Sequence, residues 1–196
     1  MKIITKVVLI MLGSIITMSC KDLDKGVIES QRQNVAEIQQ TKDTCVTLFK
    51  NFPSTFAAFS AAYGFDDNHG KGPLYDRHQE DINYFFNCQG VSEDLRLKKA
   101  INICIGGSWD ADAIGIFQKE TMKLIKGSPK KSLDILNDLP ERDAAGFWHF
   151  LLDGPHPDND DNTNDIKQLS DLFGNDNKQT ILLKKEYEKL IKEHRH

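Results

Sequence analysis

Histidine, aspartate and proline follow directly on an apolar run in FWHFLLDGPHPDNDDNTND, residues 147–165. On a helix, His149 and Asp153 stand four residues apart on one face, and His156 follows just beyond the predicted helix end. Imidazole nitrogens and a carboxylate oxygen are donors that Zn²⁺ takes, and a catalytic zinc site keeps one position for water. These three side chains are therefore a candidate metal site, and a bound metal would support hydrolysis.

The same stretch has a structural interpretation, which the sequence favours. His149 lies in a strongly apolar segment beside Trp148 and Phe150. The Asp153 carboxylate before GPHP can cap the following turn. The segment is then a helix end followed by a rigid proline-framed loop over residues 154–165, and a third interpretation makes that loop a partner-binding surface.

A calcium loop of the EF-hand type fits this stretch poorly. With Asp158, Asp160 and Asn162 at positions 1, 3 and 5, Thr163 stands where a glycine is needed. Leu169 stands where a bidentate glutamate is needed. We therefore expect no cofactor. Bound Zn²⁺ or Ca²⁺ is the alternative, and weak cation binding by these carboxylates remains open.

A second polar cluster, GFDDNHGKGPLYDRHQED, covers residues 64–81, and a site shared between its histidines and those of the first stretch remains open. Trp109, in GGSWD, is predicted either to join the core or to anchor a partner. Loops on a helical scaffold commonly carry function, so residues 64–78 and 153–165 form the predicted binding surface. The predicted contact residues are Asp66, Asp67, His69, Tyr75, His78, Trp109, Trp148, His156 and Asp158.

Helix signals surround nearly every apolar segment. Ser92 precedes Glu93 and Asp94, Pro129 follows Ser128, and apolar residues recur at helical spacing between these points. Alternating stretches with a hairpin turn are lacking. The predicted fold is all-α, an irregular bundle or array of short antiparallel helices, with two last helices over residues 166–173 and 178–194.

The N-terminus has the pattern of a secretory signal. Lys2 and Lys6 form a short basic segment, residues 7–18 are almost all apolar, and the small Ser19 follows. The run is too short to cross a hydrocarbon core of roughly 30 Å as a helix. Residues 1–19 are therefore a predicted signal peptide.

The end of this signal, ITMSC, resembles the lipobox of bacterial lipoproteins, although Thr17 stands where that family usually has an aliphatic residue. The resemblance implies that Cys20 receives a diacylglyceryl group and becomes the first residue of the mature chain. It also implies a palmitate-type anchor of two or more acyl chains, which holds a protein stably on a membrane. The following CKDLD resembles the start of lipoproteins sent to the outer surface, so the expected location is the bacterial cell envelope, at the outer membrane.

The charge of the chain limits the classes of partner that we expect, and its composition indicates the domain organisation. Without Lys2 and Lys6, the basic residues fall from 25 to 23 against 29 acidic residues, a formal charge of about −6. An acidic chain without a basic stripe argues against nucleic acid. The predicted organisation is a lipidated tether with a leading polar helix at 20–43 and a single α-helical domain at 44–196, whose oligomeric state the sequence leaves open.

Three cysteines remain after Cys20, so at least one thiol is unpaired. Cys88 and Cys104 are predicted at the far ends of consecutive helices, so that any disulfide would use Cys45. Three small buried side chains are an equal alternative.

The predicted function is a non-enzymatic, membrane-anchored lipoprotein that binds an envelope protein, of the inhibitor, immunity or assembly-accessory kind. A metal-assisted hydrolase acting on envelope material and a structural tether are the alternatives.

Overall fold

The computed structural model describes residues 43–66, 68, 70–110 and 112–194. The chain divides into two units, Met1–Asp43 and Thr44–His196, and almost all described residues belong to the second. The predicted signal peptide, Cys20 and the leading polar helix lie outside the described residues, as do Asp67 and His69.

The all-α prediction is confirmed, because the described residues form nine α-helices and one very short hairpin. In chain order the elements are α1 (43–51), α2 (Phe56–Tyr63), β1 (Phe65–Asp66), β2 (Gly70–Lys71), a 3₁₀ turn (Tyr75–Arg77), α3 (His78–Asn87), α4 (Glu93–Cys104), α5 (Ala113–Gly127), α6 (Pro129–Asn137), α7 (Glu141–Leu152), α8 (Asp160–Phe173) and α9 (Lys178–Glu193).

Several helix starts follow the predicted capping chemistry. Ser92 Oγ accepts a hydrogen bond from the backbone N–H of Leu95 at 3.4 Å, and Pro129 stands in the first turn of α6. Thr55 caps α2 in the same way as Ser92 caps α4. These side chains accept hydrogen bonds from backbone donors that a helix leaves unpaired at its first turn.

The predicted loop over residues 154–165 is too long, because α8 begins at Asp160 rather than at 166. Asn159 Oδ1 accepts a hydrogen bond from the backbone N–H of Asn162 at 2.7 Å, which fixes the first turn. Asp160 and Asp161 then lie at the positive end of the helix dipole. Residues 160–165, half of the predicted loop, therefore belong to the start of α8.

The predicted loop over residues 64–78 contains a small antiparallel hairpin. Phe65 pairs with Lys71, and Asp66 pairs with Gly70. The backbone then returns close to α2, where the N–H of Leu74 donates to the carbonyl of Ala62 at 2.8 Å. A Cβ atom on Gly72 would lie 2.6 Å from that same carbonyl oxygen, so only glycine fits at this approach.

The core is rich in aromatic rings. Phe52 lies 4.6 Å from Phe85, and Phe59 lies 4.8 Å from Phe117, measured between ring centroids. The central helix is α7, which packs against α9, α4 and α5. Trp148 on α7 is completely buried and donates its indole N–H to Gln179 Oε1 on α9 at 2.9 Å.

A disulfide joins Cys45 on α1 to Cys88 at the end of α3, with the two Cα atoms 5.6 Å apart. The prediction that any disulfide would use Cys45 is confirmed. Cys104 is an unpaired, buried thiol, and burial raises its pKa above the ordinary value. This thiol is therefore protonated at neutral pH and inert.

Candidate functional site

Three loops meet at one surface of the domain. We call residues 64–78 the hairpin loop, residues 105–112 the junction loop and residues 153–159 the proline loop. The Tyr75 hydroxyl of the hairpin loop donates a hydrogen bond to Asp112 Oδ2 of the junction loop. The backbone N–H of Trp109, also in the junction loop, donates to Asp153 Oδ2 at 2.8 Å. The junction loop thus connects the two loops that the sequence predicted as binding segments.

Exposed aromatic side chains lie on this three-loop surface. Trp109 is 38% exposed and Phe65 is 51% exposed. The ring of Phe65 meets Tyr75 edge-on at 6.4 Å, and the Lys71 ammonium lies 4.8 Å from the centre of the Tyr75 ring. The interpretation of Trp109 as a core residue is therefore wrong, and its interpretation as an exposed anchor agrees with its position.

Trp148 was predicted as a contact residue of the same surface, and this prediction is wrong. Its side chain is buried in α7, next to the ring of Phe147 at 4.8 Å. An indole packed on all sides cannot reach a partner. The position four residues after Ala144 on the inner face of an amphipathic helix accounts for its burial.

The junction loop is held in an unusual backbone conformation. Asp112 has a φ of 57°, in the left-handed region that non-glycine residues rarely adopt. Its carboxylate accepts the hydrogen bond from Tyr75, and this bond is the main cause that raises the pKa of Tyr75. The helix α5 begins at Ala113, directly after Asp112.

Two amide side chains fix the proline loop. Gln118 Nε2 donates to the carbonyl of Phe150 at 2.6 Å and to that of Asp153 at 3.1 Å. Asn162 Nδ2 donates to the carbonyl of Leu152 at 2.8 Å and to that of Pro157 at 2.9 Å. Carbonyls at a helix C-terminus otherwise lack partners, so these amides stabilise one loop conformation. The sequence did not indicate this role for either residue: Gln118 belongs to no distinctive motif, and Asn162 was considered only as a calcium ligand.

The three predicted zinc ligands point to different neighbours. The His149 ring faces α9, with Nδ1 3.6 Å from Glu186 Oε2 and Nε2 3.5 Å from Glu193 Oε2. Asp153 accepts from Trp109 and lies 3.6 Å from His194 Nε2, rather than capping the turn that follows it.

His156 is exposed at the tip of the proline loop. Within the described part of the chain, no group of three His, Cys, Asp or Glu side chains is arranged to hold a metal. The structure does not bring the three predicted ligands together, and zinc or calcium binding stays a prediction.

The other predicted contact residues that the structure describes lie at the ends of elements or in the loops. His78 begins α3, and its Nδ1 lies 2.5 Å from the carbonyl oxygen of Tyr75. Asp66 ends β1, and Asp158 is exposed on the proline loop. His78 therefore supports the hairpin loop rather than a ligand site.

A cleft of about 630 Å³ opens next to Trp109, between α5, the proline loop and α8. Its walls carry lysine, aspartate and carboxamide side chains, and its floor includes Met122, Leu151 and Leu152. Asp153 and Trp109 belong both to this cleft and to the three-loop surface. We call it the amide cleft.

Comparison of the chain with family models, with curated proteins and with solved structures finds no match. Among the residues that the structure describes, every helix is too short or too polar to cross a membrane. The fold and the three-loop surface define an α-helical domain with a composite, partly aromatic face.

Proposed function

We propose that this chain is a lipid-anchored protein of the bacterial envelope that binds a protein partner without catalysing a reaction. Its role is of the inhibitor, immunity or envelope-assembly kind. The three-loop surface is the contact region, with Phe65, Tyr75 and Trp109 as its aromatic anchors. The anchor is Cys20, from the lipobox resemblance of ITMSC.

The observation that carries the proposal is the pair of hydrogen bonds through the junction loop. Tyr75 to Asp112 and Trp109 to Asp153 connect segments separated by 37 and 44 residues in the chain. Such bonds hold three loops in one relative arrangement before a partner arrives. Binding then costs less conformational entropy than it would with mobile loops.

Side-chain chemistry supports a protein as the partner. Aromatic residues that are partly exposed supply large contact areas, and they dominate the binding energy of many protein interfaces. The exposed carboxylates of Asp76 and Asp158 lie in the hairpin and proline loops. A partner with apolar pockets surrounded by basic or amide groups would match this surface.

The experiment uses the full chain expressed in a bacterium that processes lipoproteins. A Cys20→Ser variant is expected to leave the membrane fraction, because it lacks the thiol that would be acylated. Binding is then measured as the amount of one reproducible partner crosslinked to the anchored protein and identified by mass spectrometry. A Phe65→Ala/Trp109→Ala variant is expected to lose at least tenfold of that crosslink.

The matched control is Leu95→Ala/Leu172→Ala, which removes two exposed apolar side chains from α4 and α8. It is expected to retain the crosslink and the melting temperature of the wild-type protein. An equal loss in both double variants would contradict the three-loop surface as the contact region. Membrane retention of Cys20→Ser would contradict the lipid anchor.

A further inference from the structure

The amide cleft has the volume of a ligand site. Its volume of about 630 Å³ lies within the range of roughly 300–1,000 Å³ that is typical of small-molecule pockets. One wall is α5, and the opposite wall is the start of α8 together with the proline loop. Met122 and Leu152 on the floor are almost completely buried. A ligand in the cleft would therefore contact polar walls and an apolar floor.

The lining has no net formal charge. Lys119, Lys123 and Lys126 lie on the α5 side, and three aspartates, Asp153, Asp161 and Asp165, face them across the cleft. Lys126 and Asp165 already form an ion pair at 2.7 Å. The electrostatic field of a lining with equal numbers of positive and negative side chains attracts neither a polyanion nor a polycation. Such a lining therefore suits an uncharged polar ligand.

Carboxamide groups are frequent in this lining. Asn159, Asn162, Asn164, Gln118 and Gln168 all border the cleft. An amide side chain offers both a donor and an acceptor, and a carboxylate accepts from hydroxyl groups. Gln118, Asn159 and Asn162 already bond to the backbone of the protein, so the amide contacts to a ligand fall on Asn164 and Gln168.

Gly115 leaves open space over the backbone of α5. A Cβ atom built at Gly115 would have no neighbouring atom within 4 Å, so packing does not require glycine here. Glycine inside a helix is less favourable than alanine. Gly115 and Trp109, whose side chain is 38% exposed, both belong to the lining of the cleft.

Hydrogen bonds within the protein fix one wall of the cleft. Gln118 is buried and holds the carbonyls of Phe150 and Asp153, while Asn162 holds those of Leu152 and Pro157. These bonds fix the wall that the proline loop contributes. A preformed site binds with a smaller ordering cost than a site that must fold around its ligand.

From these features we propose that the amide cleft binds a short N-acetylated oligosaccharide. The apolar face of a pyranose ring stacks on the Trp109 indole, and the ring hydroxyls bond to the aspartates and amides of the walls. The acetamido group presents an N–H and a carbonyl that match Asn164 and Gln168, and its methyl group meets the Met122 floor. An unsubstituted glucose chain lacks the acetamido contacts.

The test measures binding of chitotetraose, the N-acetylglucosamine tetramer, to the full-length protein by calorimetry and tryptophan fluorescence. The chain has two tryptophans, and Trp148 is buried, so a change in emission on binding reports Trp109. Saturable binding is expected, together with a change in emission that Trp109→Phe removes. Maltotetraose, which lacks acetamido groups, is expected to bind at least tenfold more weakly.

A matched pair of glycine variants locates the site. Gly115→Leu fills the space in the cleft and is expected to weaken chitotetraose binding at least tenfold. Gly127→Leu is the control, because Gly127 ends the same helix, has open space around it and does not line the cleft. Both variants are expected to retain the helical circular dichroism of the wild-type protein, which checks that neither substitution unfolds α5.

Three results would overturn the inference: no saturable binding of chitotetraose, equal binding of maltotetraose, or equal affinity in the Gly115→Leu and Gly127→Leu proteins. The cleft and the three-loop surface share Trp109 and Asp153, so two variants outside these shared residues separate the two proposals. Phe65→Ala is expected to weaken the protein crosslink and to keep chitotetraose binding. Gly115→Leu is expected to weaken chitotetraose binding and to keep the protein crosslink.

Discussion

At the residue scale, two glycines have opposite structural roles. Gly72 lies where the hairpin loop approaches α2, and a Cβ there would be 2.6 Å from a backbone carbonyl oxygen. Gly115 lies in α5 with open space around it. One glycine is therefore required by a backbone contact, and the other is not required by any packing that surrounds it.

Alanine substitution separates these roles. Gly72→Ala is expected to lower the free energy of unfolding by about 1–3 kcal/mol, because the backbone of the hairpin loop or α2 must shift. Gly115→Ala is expected to raise it by about 0.5–1 kcal/mol, because alanine reduces the entropy of the unfolded chain. Urea denaturation of both variants measures the effect, and destabilisation by Gly115→Ala would show that the open space is needed for folding.

Residue composition indicated which loops lie together better than it indicated which of their side chains are exposed. The polar segments around residues 64–78 and 153–159 do form one surface, but the contact between them runs through Trp109 and Asp112. The distances that bring these residues together depend on how α5 and α7 pack. No local pattern reports that packing, which is why the sequence could not separate exposed Trp109 from buried Trp148.

At the element scale, a buried polar contact joins α2 to α3. The Tyr63 hydroxyl donates to Asp81 Oδ2 at 3.0 Å, and Arg77 Nη2 bonds to the other carboxylate oxygen at 2.8 Å. Both Tyr63 and Asp81 are buried. Burial first, and the Asp81 charge second, raise the pKa of Tyr63 above its ordinary value.

A pH dependence follows from this raised pKa. The contribution of Tyr63 to stability is complete below its ordinary pKa of 10.0 and is lost as the pH rises above that value, because only the unfolded chain ionises readily. Tyr63→Phe is expected to be less stable than wild type at pH 7, since Asp81 loses a donor. The difference between the two proteins is expected to shrink between pH 10 and 11 in urea denaturation, and a constant difference would contradict the pKa shift.

Helices were the predictable elements, and their packing partners were not. Ser92 and Pro129 mark helix starts through chemistry that acts within one turn, so local sequence was sufficient. The start of α8 was misplaced by six residues because its first turn consists of Asp and Asn, which also favour loops. Ile181 on α9 is 57% exposed, whereas Leu182 and Leu183, which follow it and are also apolar, are buried.

At the scale of the whole molecule, the disulfide closes a large part of the chain. Cys45 and Cys88 are 43 residues apart, so the bond restricts α1, α2, the hairpin loop and α3 in the unfolded state. In the loop-entropy treatment, a closure of this length contributes about 4 kcal/mol. The all-α fold thus combines a helical core with one covalent closure near its N-terminal side.

The Cys45→Ser/Cys88→Ser protein is expected to unfold at a lower urea concentration by an amount that corresponds to about 4 kcal/mol. Dithiothreitol is expected to destabilise the wild-type protein to the same level and to leave the variant unchanged. Equal stability of the oxidised and reduced wild-type proteins would contradict a structural role for this bond. Cys104 is the internal control, because its buried thiol stays unpaired in both proteins.

The position of that disulfide also determines how the domain would carry mechanical load. Tension applied to the chain before residue 43 reaches Cys45 within α1, and from there it passes through a covalent bond to the end of α3. The hydrogen bonds and side-chain contacts of α2 and the hairpin loop lie outside that path. A pull between the N-terminal segment and the C-terminal helix therefore bypasses the backbone of residues 46–87, which includes the hairpin loop.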